Sequence, residues 1–464
     1  MDELPKRKIY TLAGLKPEVV AVTFAKSSRS PKSFYEIAQE LSEEKSAEFH
    51  EKWVVGYGHS SVAEHAYLNI AIENVSRLAI ESIQSNRLAS YTEKSSRYQV
   101  FDDNAFHLPK KIEESEFKDY YLDTMRFLMR NYLDLQKRAH AFLREKIHPD
   151  KEESDKAYEV RIKCRALDSI RFTMPVAALA NVGMSVNARN LEYAIKKWLS
   201  DPLTEVQEIG AKIKEEVKRV VPTLVKYADR SDYLVDTHKA LSKLSKEMIP
   251  ETSLDEDGIT LVQYDRDVDD RLVTALLYKK ATQSYAEILG KVRNMSPEEK
   301  EGVIDQALNR LGRFDNPVRE LEYVNYVFDC LWDQGAYYDL KRHRLCTLTA
   351  QPLTIEHRST MPQMITDAHL EKQFAESLQR SEEGFNRLKN QFPEEAQYFV
   401  LNAHKRRFLW QMNLRELYHV VKLRTGKTGN FSYRRFAQKM YQIVKEKTPL
   451  VTKYLQADLD QSDY

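Results

Sequence analysis

The chain repeats itself once, at a spacing of about half its length. The segment NARNL (187–191) recurs as NLREL (413–417), and PTLVKY (222–227) recurs as PLVTKY (449–454). The two separations are 226 and 227 residues, so both matches lie on one register with a single-residue slip. Solenoid repeats have far shorter periods. A period this long therefore indicates that a whole domain has been duplicated.

A third pair of segments repeats with complementary losses. These segments are SNRLASYTEKSSRY (85–98) and RHRLCTLTAQPLT (342–354). When Arg87 is aligned with Arg344, the leucines that follow coincide, and so do the hydroxyl residues Ser90 and Thr347. The first copy alone keeps a charged and hydroxyl run, namely Glu93, Ser95 and Arg97, where the second has Ala350, Pro352 and Thr354. The second copy alone keeps Arg342 and His343 before its arginine. A site that takes one wall from each domain would explain this pattern.

These segments resemble the flavin-dependent thymidylate synthases. The signature of that family is Arg-His-Arg, a hydroxyl residue, and then Glu-x-Ser-x-Arg-Tyr, and each copy here keeps a different part of it. Further matches in the first half are YGHSSVAEH (57–65), Arg171 with Pro175, and NARNL. Matches in the second half are GITLVQYDRD (258–267), Glu322 with Tyr323, and NLREL followed by Arg424. The resemblance covers nearly the whole chain, once per half.

The resemblance implies a uridylate substrate, FAD as cofactor, and NADPH and methylenetetrahydrofolate as cosubstrates. The residues it assigns to the substrate are Glu93, Ser95, Arg97, Arg171 and Arg342. The residues it assigns to the flavin are Ser61, Arg342, His343, Arg344, Asn413, Arg415 and His419. Arg424 matches the catalytic arginine that polarises the uracil. In the family these groups come from a subunit pair, and the sequence leaves open whether the composite site forms within one chain or between two.

The chemistry of these residues agrees with an anionic ligand. Ser95 and Arg97 offer a hydroxyl and a guanidinium fork on one side of an extended loop. Asn413 and Arg424 are eleven residues apart, close to three helical turns, so they would share a helix face. Taken alone, the position of Arg171 favours a core arginine packed stem-first against the apolar MPVAALA, and it is the resemblance that assigns it to the ligand. Asp339 stands where the family usually has a glutamine that touches the nucleotide, and its carboxylate would repel a phosphate.

The reciprocal combination of walls has lost almost every charge. It would use Ser85, Asn86 and Trp198 from the first half with Ala350, Pro352, Thr354 and Gln397 from the second. Random decay would scatter losses over both sites. The sorting predicts one working uridylate site per chain.

Composition narrows the classes of protein to which the chain could belong. The 464 residues carry a net charge of +1, which gives no reason to expect nucleic-acid binding. Three cysteines without metal-like spacing favour a reduced, cytoplasmic protein, and no window is apolar enough to suggest a membrane span. We expect no metal, because His59 and His65 do not have the zinc-binding HExxH spacing.

The predicted fold is α+β, with two tandem domains similar to flavin-dependent thymidylate synthase. Each would be a small, mainly antiparallel sheet flanked by long helices. The predicted boundaries are 1–227 for the first domain, 228–257 for a linker and 258–464 for the second. Apolar periodicity predicts helices at 115–146, 203–220, 370–390 and 432–446, and strands at 66–75, 258–264 and 321–328.

Two functions remain open at this point. One is a flavin-dependent methyltransferase acting on dUMP or a related uridylate. The alternative is a noncatalytic relative that binds a nucleotide or flavin. Because the family is a homotetramer, a tandem chain is expected to form a homodimer that mimics it.

Overall fold

A computed structural model describes residues 8–41, 43–51, 60–97, 101–249 and 258–462. The chain forms two compact units. The first contains the described residues of Met1–Lys94, His107–Glu116 and Leu179–Glu251, and the second those of Ser95–Phe106, Phe117–Ala178 and Thr252–Tyr464. Two segments from the first half of the sequence therefore belong to the same unit as the whole second half.

The chain is mainly helical. In chain order the α-helices are α1 (Pro17–Ser27), α2 (Phe34–Gln39), α3 (Glu43–His50), α4 (Arg77–Gln84), α5 (Lys110–Glu113), α6 (Lys118–Lys146), α7 (Asp155–Ile170), α8 (Ala188–Leu199), α9 (Thr204–Val217), α10 (Asp232–Met248), α11 (Val268–Tyr278), α12 (Tyr285–Val292), α13 (Pro297–Leu308), α14 (Gln334–Leu340), α15 (Gln363–Asp367), α16 (Glu371–Leu388), α17 (Pro393–Ala396), α18 (Leu414–Arg424) and α19 (Phe431–Lys447). Short 3₁₀ helices span Ser60–His65, Arg171–Thr173, Arg319–Tyr323 and Gln397–Phe399.

Among the described residues, each unit contains one antiparallel sheet. The strands are β1 (Tyr67–Ser76), β2 (Ala89–Glu93), β3 (Leu179–Asn187), β4 (Gly258–Tyr264), β5 (Asn325–Asp333), β6 (Thr347–Ala350) and β7 (Lys405–Asn413). The first sheet has the order β1-β3-β2 and the second the order β4-β5-β7-β6. In the first sheet β3 pairs with β1, which precedes the segment 85–98, and with β2, which lies inside it. In the second sheet β7 pairs in the same way with β5, which precedes the segment 342–354, and with β6, which lies inside it. The predicted α+β class and tandem duplication are confirmed.

The two sheets share one register. Ser90 lies opposite Ser185 in the first sheet, and Thr347 lies opposite Gln411 in the second. Each partner stands two residues before the asparagine that ends its strand. The alignment of the two hydroxyl residues in sequence is thus also an alignment in the sheets.

Equivalent asparagines begin the helix that follows each central strand. Asn187 Oδ1 accepts a hydrogen bond from the backbone N–H of Asn190 at 2.9 Å, which caps α8. Asn413 Oδ1 accepts from the backbone N–H of Glu416 at 2.9 Å, which caps α18. An asparagine side chain satisfies an N–H that would otherwise lack a partner in the first helical turn. The repeated Asn-x-Arg segment therefore has a structural role in both halves.

The core of the second sheet is aromatic. Tyr326 and Phe328 of β5 and Phe408 and Trp410 of β7 are fully buried, at alternate positions along each strand. Phe436 of α19 stacks on Phe408, with ring centroids 6.1 Å apart. Burying a side chain of this size stabilises a fold by about 1.5–3 kcal/mol. This core fixes the ends of β5 and β7, where the candidate site begins.

Two predictions of local structure need comment. The strand predicted at 321–328 is wrong at its start, because Arg319–Tyr323 is a 3₁₀ helix and the strand is Asn325–Asp333. Leu321 and Val324 are both buried. Two apolar residues three positions apart suit a 3₁₀ turn as well as the start of a strand. Residues 228–257, predicted as a linker, contain α10, which has no buried residue, while 250–257 lie outside the described residues. The strand predicted at 258–264 and the four long helices are confirmed.

Backbone hydrogen bonds join residues 171–176 to 400–403 within the second unit. Val176 N–H donates to Val400 C=O at 2.9 Å, and Asn402 N–H donates to Met174 C=O at 3.0 Å. The Asn402 side-chain amide also donates to the Arg171 carbonyl at 2.8 Å. An arginine from the first repeat is thus fixed to the segment that leads into β7 of the second.

Candidate functional site

A buried carboxylate surrounded by arginines lies at the end of α14. Asp339 is only 8% exposed. Its oxygens lie 3.5 Å from a guanidinium nitrogen of Arg171 and 3.8 Å from nitrogens of Arg342 and Arg424. Burial raises the pKa of Asp339, but these three arginines together with Arg97 outweigh it and hold the pKa below its ordinary value. The carboxylate is therefore ionised at neutral pH.

Arg171 is held at this carboxylate from the first repeat. It follows α7 in a 3₁₀ turn, is 3% exposed, and its Nη2 donates to the Gly335 carbonyl at 3.4 Å. Within the described part of the chain, its Nε is buried and has no acceptor. A buried donor without a partner carries a desolvation penalty of ~1–3 kcal/mol. An anionic ligand bound beside this cluster of arginines could accept a hydrogen bond from that donor.

Arg424 is oriented by a buried histidine. Its Nε–H donates to His343 Nε2 at 2.9 Å, and its Nη2 donates to the backbone carbonyl of Asp339 at 2.6 Å. His343 Nδ1 lies 3.0 Å from Glu416 Oε1. Because an arginine Nε can only donate, Nε2 is the acceptor and the imidazole proton resides on Nδ1. Burial lowers the pKa of His343, so the ring is neutral at pH 7.

Arg97 is also held in the second unit, by a residue that sequence analysis did not identify. Its Nη2 donates to Asp168 Oδ2 at 2.8 Å and to the Thr428 carbonyl at 3.0 Å. Burial lowers the pKa of Arg97, but the bond to Asp168 outweighs it and raises the pKa above its ordinary value. The same-side arrangement of Ser95 and Arg97 required an extended loop, but the chain turns at Ser96, and Ser95 Oγ accepts from the Arg97 backbone N–H at 3.2 Å.

The start of α19 completes the surroundings of Arg424. The Arg424 guanidinium lies 5.3 Å from the centre of the Tyr433 ring. A Cβ at Gly429 would lie 2.6 Å from that ring, so any larger residue there would force Tyr433 to shift. Asn430 caps α19 and its amide donates to the Asp168 carbonyl at 2.8 Å. One loop thus contacts the partners of both Arg97 and Arg424.

Positive charge is in excess in this cluster. Four guanidinium groups, those of Arg97, Arg171, Arg342 and Arg424, influence the single carboxylate of Asp339. Asp168 balances Arg97, and Glu416 faces the neutral His343. Even with all three carboxylates ionised, the cluster keeps an excess of one positive charge. The donor set therefore fits an anion such as a phosphate monoester.

The residues predicted to hold a flavin divide into two groups. Asn413 is committed to its cap, and Arg415 donates to the Pro317 carbonyl and to Glu322 Oε1, both at 2.9 Å. Arg342 has a side chain 48% exposed, His419 is exposed and Arg344 is half-buried. Arg342, Arg344 and His419 thus lie where a ligand could reach them. Asn413, Arg415 and the buried His343, which bonds to Arg424 and Glu416, hold local structure.

Two predicted site residues belong to the first unit. Ser61 is exposed in the 3₁₀ helix Ser60–His65. The side chain of Glu93 is buried, with its Oε1 3.2 Å from Arg77 Nη1 and its Oε2 accepting from Gln84 Nε2 at 3.1 Å. The two therefore have different local roles, one available at the surface and one paired in the interior. Residues 57–59 and Tyr98 of the matched motifs lie outside the described residues.

Members of the reciprocal site form ordinary structural bonds. Trp198 Nε1–H donates to the Ser82 carbonyl at 3.2 Å. Gln397 Oε1 accepts from the Leu353 backbone N–H at 3.1 Å, and Thr354 Oγ1 accepts from the Glu356 N–H at 3.1 Å. These residues hold strand ends and turns in place.

One group of side chains has the composition of a metal site. His343, Glu416 and His419 could each direct one ligand atom to a common point. However, His343 Nε2 already accepts from Arg424, and Nδ1 faces Glu416. A guanidinium bonded to the same ring would repel a cation. The group is therefore better suited to holding Arg424 than to binding a metal.

No helix in the parts of the chain that the structure describes is both long and apolar enough to cross a membrane.

One known family matches both halves of the chain. The model for "Thymidylate synthase complementing protein" matches residues 12–223 and again residues 260–450. The chain belongs to this family. The two matches fall one on each repeat, so the family is present in tandem.

Relatives of the chain are of two kinds. A UPF0159 protein from Chlamydia muridarum is 32% identical over 443 residues, which is 91% of this chain and 83% of that protein. A UPF0159 protein from Thermoplasma acidophilum is 24% identical over 92% of this chain and 91% of its own length. The flavin-dependent thymidylate synthase of Clostridium tetani is 29% identical over 217 residues, 46% of this chain and 83% of that enzyme. Full-length similarity is thus to UPF0159 proteins, and similarity to a named enzyme covers about half of this chain.

Among solved structures, thymidylate synthase X from Helicobacter pylori with FAD and dUMP covers 43% of this chain and 99% of its own, with 17% identity and a TM-score of 0.31. The UMP/dUMP methylase PolB from Streptomyces cacaoi, bound with 5-Br dUMP, covers 43% of this chain and 95% of its own, with 15% identity and a TM-score of 0.34.

Proposed function

We propose that this protein is a flavin-dependent methyltransferase of the thymidylate synthase type. It would act on dUMP or a related uridylate, with FAD as cofactor and with methylenetetrahydrofolate and NADPH as cosubstrates. Each chain would have one composite site, built in the second unit. The observation that carries the proposal is the meeting of Arg97 and Arg171 from the first repeat with Arg342 and Arg424 from the second around Asp339.

A phosphate fits the unused hydrogen-bonding capacity of Arg171. The contacts to the Asp339 carboxylate are 3.5–3.8 Å long, beyond the 2.7–3.2 Å of a direct hydrogen bond. Arg171 also has a buried Nε without an acceptor among the described residues. Guanidinium forks that are fixed in place but not saturated are good donors to a phosphate. We therefore assign the uridylate phosphate to Arg171, with Arg97 and Arg342 beside it.

Arg424 is assigned to the pyrimidine. It is the last residue of α18, the helix capped by Asn413, and its Nε and Nη2 both donate hydrogen bonds within the site.

 Its Nη1 remains directed at the Asp339 carboxylate at 3.8 Å. A preoriented guanidinium in a largely buried site can stabilise negative charge that develops on the uracil ring. The flavin, when bound, would supply hydride chemistry that no side chain provides. Arg342 and Arg344 would hold its phosphates, and His419 would lie at its edge.

The homodimer expected from the family's tetramer remains part of this proposal. Two tandem chains would present four domains. Light scattering at micromolar concentration should give twice the chain mass. A monodisperse monomer would contradict that part of the proposal.

A specific observation favours the alternative, a noncatalytic nucleotide- or flavin-binding relative. Asp339 places a negative charge among the arginines that would bind the phosphate, and Asn413 and Arg415 are committed to structural bonds. Such a protein would keep ligand binding and lose turnover.

The absorption spectrum of the purified protein tests the proposal most simply. The proposed enzyme should show flavin bands, release FAD on denaturation, and methylate dUMP when NADPH and methylenetetrahydrofolate are supplied. Bound flavin or uridylate without turnover would support the alternative. A protein that binds neither would overturn both.

A further inference from the structure

We propose that Glu416 is the positioning residue for Arg424, acting through His343. The inference rests on the proposed function only in taking Arg424 as the residue that meets the pyrimidine. The three side chains form one chain of contacts: Glu416 Oε1 to His343 Nδ1 at 3.0 Å, and His343 Nε2 to Arg424 Nε at 2.9 Å. All three are largely buried, with side-chain exposures of 7%, 2% and 11%.

The carboxylate determines which nitrogen of the imidazole can accept. A neutral histidine has one N–H donor and one acceptor nitrogen. An ionised carboxylate only accepts, so it holds the proton on Nδ1 and leaves Nε2 as an acceptor. Arg424 Nε–H then has a fixed partner. In the other tautomer, two N–H groups would face each other and Arg424 would turn away.

The backbone of Glu416 does not require its carboxylate. Its N–H donates to Asn413 Oδ1 in the cap of α18, and any residue could make that bond. The equivalent position in the first repeat is Asn190, whose N–H makes the same bond to Asn187. The first repeat has no Arg-His pair at its signature and no carboxylate at this position. The Glu416 side chain is therefore present where there is a histidine to orient.

Further contacts orient the rest of the Arg424 guanidinium. With Nε held by His343, Nη2 donates to the Asp339 carbonyl at 2.6 Å. The guanidinium also lies over the Tyr433 ring, 5.3 Å from its centroid. The group thus has one orientation relative to Asp339 and Arg171. Losing a hydrogen bond to a charged group weakens binding roughly ten- to hundred-fold.

The test compares Glu416→Ala with Glu416→Gln, with Asn190→Ala as a matched control at the same capped position. In ligand-free protein labelled at histidine and arginine, ¹⁵N NMR should show His343 as the Nδ1–H tautomer and a slowly exchanging Arg424 Nε–H. Glu416→Gln should keep both signatures, because the amide oxygen can still accept from Nδ1–H. Glu416→Ala should lose both, and Asn190→Ala should change neither.

A second measurement reads the consequence at the base. Affinity for uridine, which lacks a phosphate, should fall roughly ten- to hundred-fold in Glu416→Ala and be largely restored in Glu416→Gln. If uridine fails to bind the wild type, the proposed function is at fault, and the NMR signatures still decide the positioning role. An Nε2–H tautomer in the wild type, or an unchanged Arg424 signal in folded Glu416→Ala, would overturn it. If Glu416→Ala does not fold, uridine affinity and both signatures in Glu416→Gln decide instead, and their loss there would also overturn it.

Discussion

Replacing Asp339 with asparagine should tighten the binding of a phosphate. The substitution keeps the size of the side chain and the backbone carbonyl that accepts from Arg424. It removes one negative charge from a point 3.5 Å from Arg171 and 3.8 Å from Arg342. The arginines would then have no internal anion on which to converge. An external anion would take that place.

The magnitude follows from the charges. Two unit charges about 5–8 Å apart at an effective dielectric constant of about 20 repel by ~2–3 kcal/mol. Removing that repulsion should strengthen binding of a phosphate monoanion roughly 30- to 150-fold. The ligand-free protein should lose stability at the same time, by about 3 kcal/mol, since breaking a buried ion pair leaves the remaining charge uncompensated.

Calorimetric titration of dUMP and deoxyuridine into wild type and Asp339→Asn separates an effect on phosphate binding from an effect on binding of the base. The affinity for dUMP should rise and that for deoxyuridine should change little. Asp329→Asn is the matched control, because Asp329 pairs with Arg407 at 2.7 Å and does not contact the cluster. If dUMP bound Asp339→Asn no better than wild type, the assignment of the phosphate to these arginines would be refuted.

Three further predictions concern the same cluster. Arg97→Ala should weaken dUMP binding roughly ten- to hundred-fold in titration, whereas Thr354→Ala, at the matching position of the second repeat, should leave it unchanged. Because the pKa of Asp339 is depressed, its stabilisation is present above the unfolded pKa of about 3.9 and is lost as pH falls through the folded value. Urea unfolding at pH 2–7 should show this loss in wild type and a smaller one in Asp339→Asn. Gly429→Ala should displace Tyr433, whose ring would lie 2.6 Å from the new Cβ, and lower the free energy of unfolding by about 1–3 kcal/mol in the same assay.

Much of the fold was predictable because it rests on local patterns and on the repeat. The long amphipathic helices follow from apolar periodicity, and the capping asparagines recur at the same register. The start of β5 was not predictable, since Leu321 and Val324 fit a 3₁₀ turn as well as a strand. Local spacing cannot separate two structures that bury the same residues.

The arginines of the site could be found in the sequence, but their partners could not. Asp168 is 71 residues from Arg97, and Glu416 is 73 residues from His343. Such contacts depend on how distant segments pack. A weak signal existed in both cases: Asp168 is three residues before Arg171, and Glu416 lies inside the repeated NLREL segment. Neither position distinguishes a residue that holds an arginine from a solvated acid.

The turn at Ser96 is another feature that the local sequence pattern did not predict. Alternating Ser95 and Arg97 suggested an extended loop with both side chains on one side. The Ser95 hydroxyl instead accepts from the Arg97 backbone, and serine commonly competes for backbone donors in this way. Arg97 still reaches the cluster, through Asp168.

The central claim is that one composite site per chain binds a uridylate. Isothermal titration of dUMP into the purified protein tests it directly, with the protein concentration fixed by amino-acid analysis. We expect one dUMP per chain, with binding weakened by Arg171→Ala and by Arg424→Ala. Two equal sites per chain, or one site indifferent to both substitutions, would contradict it.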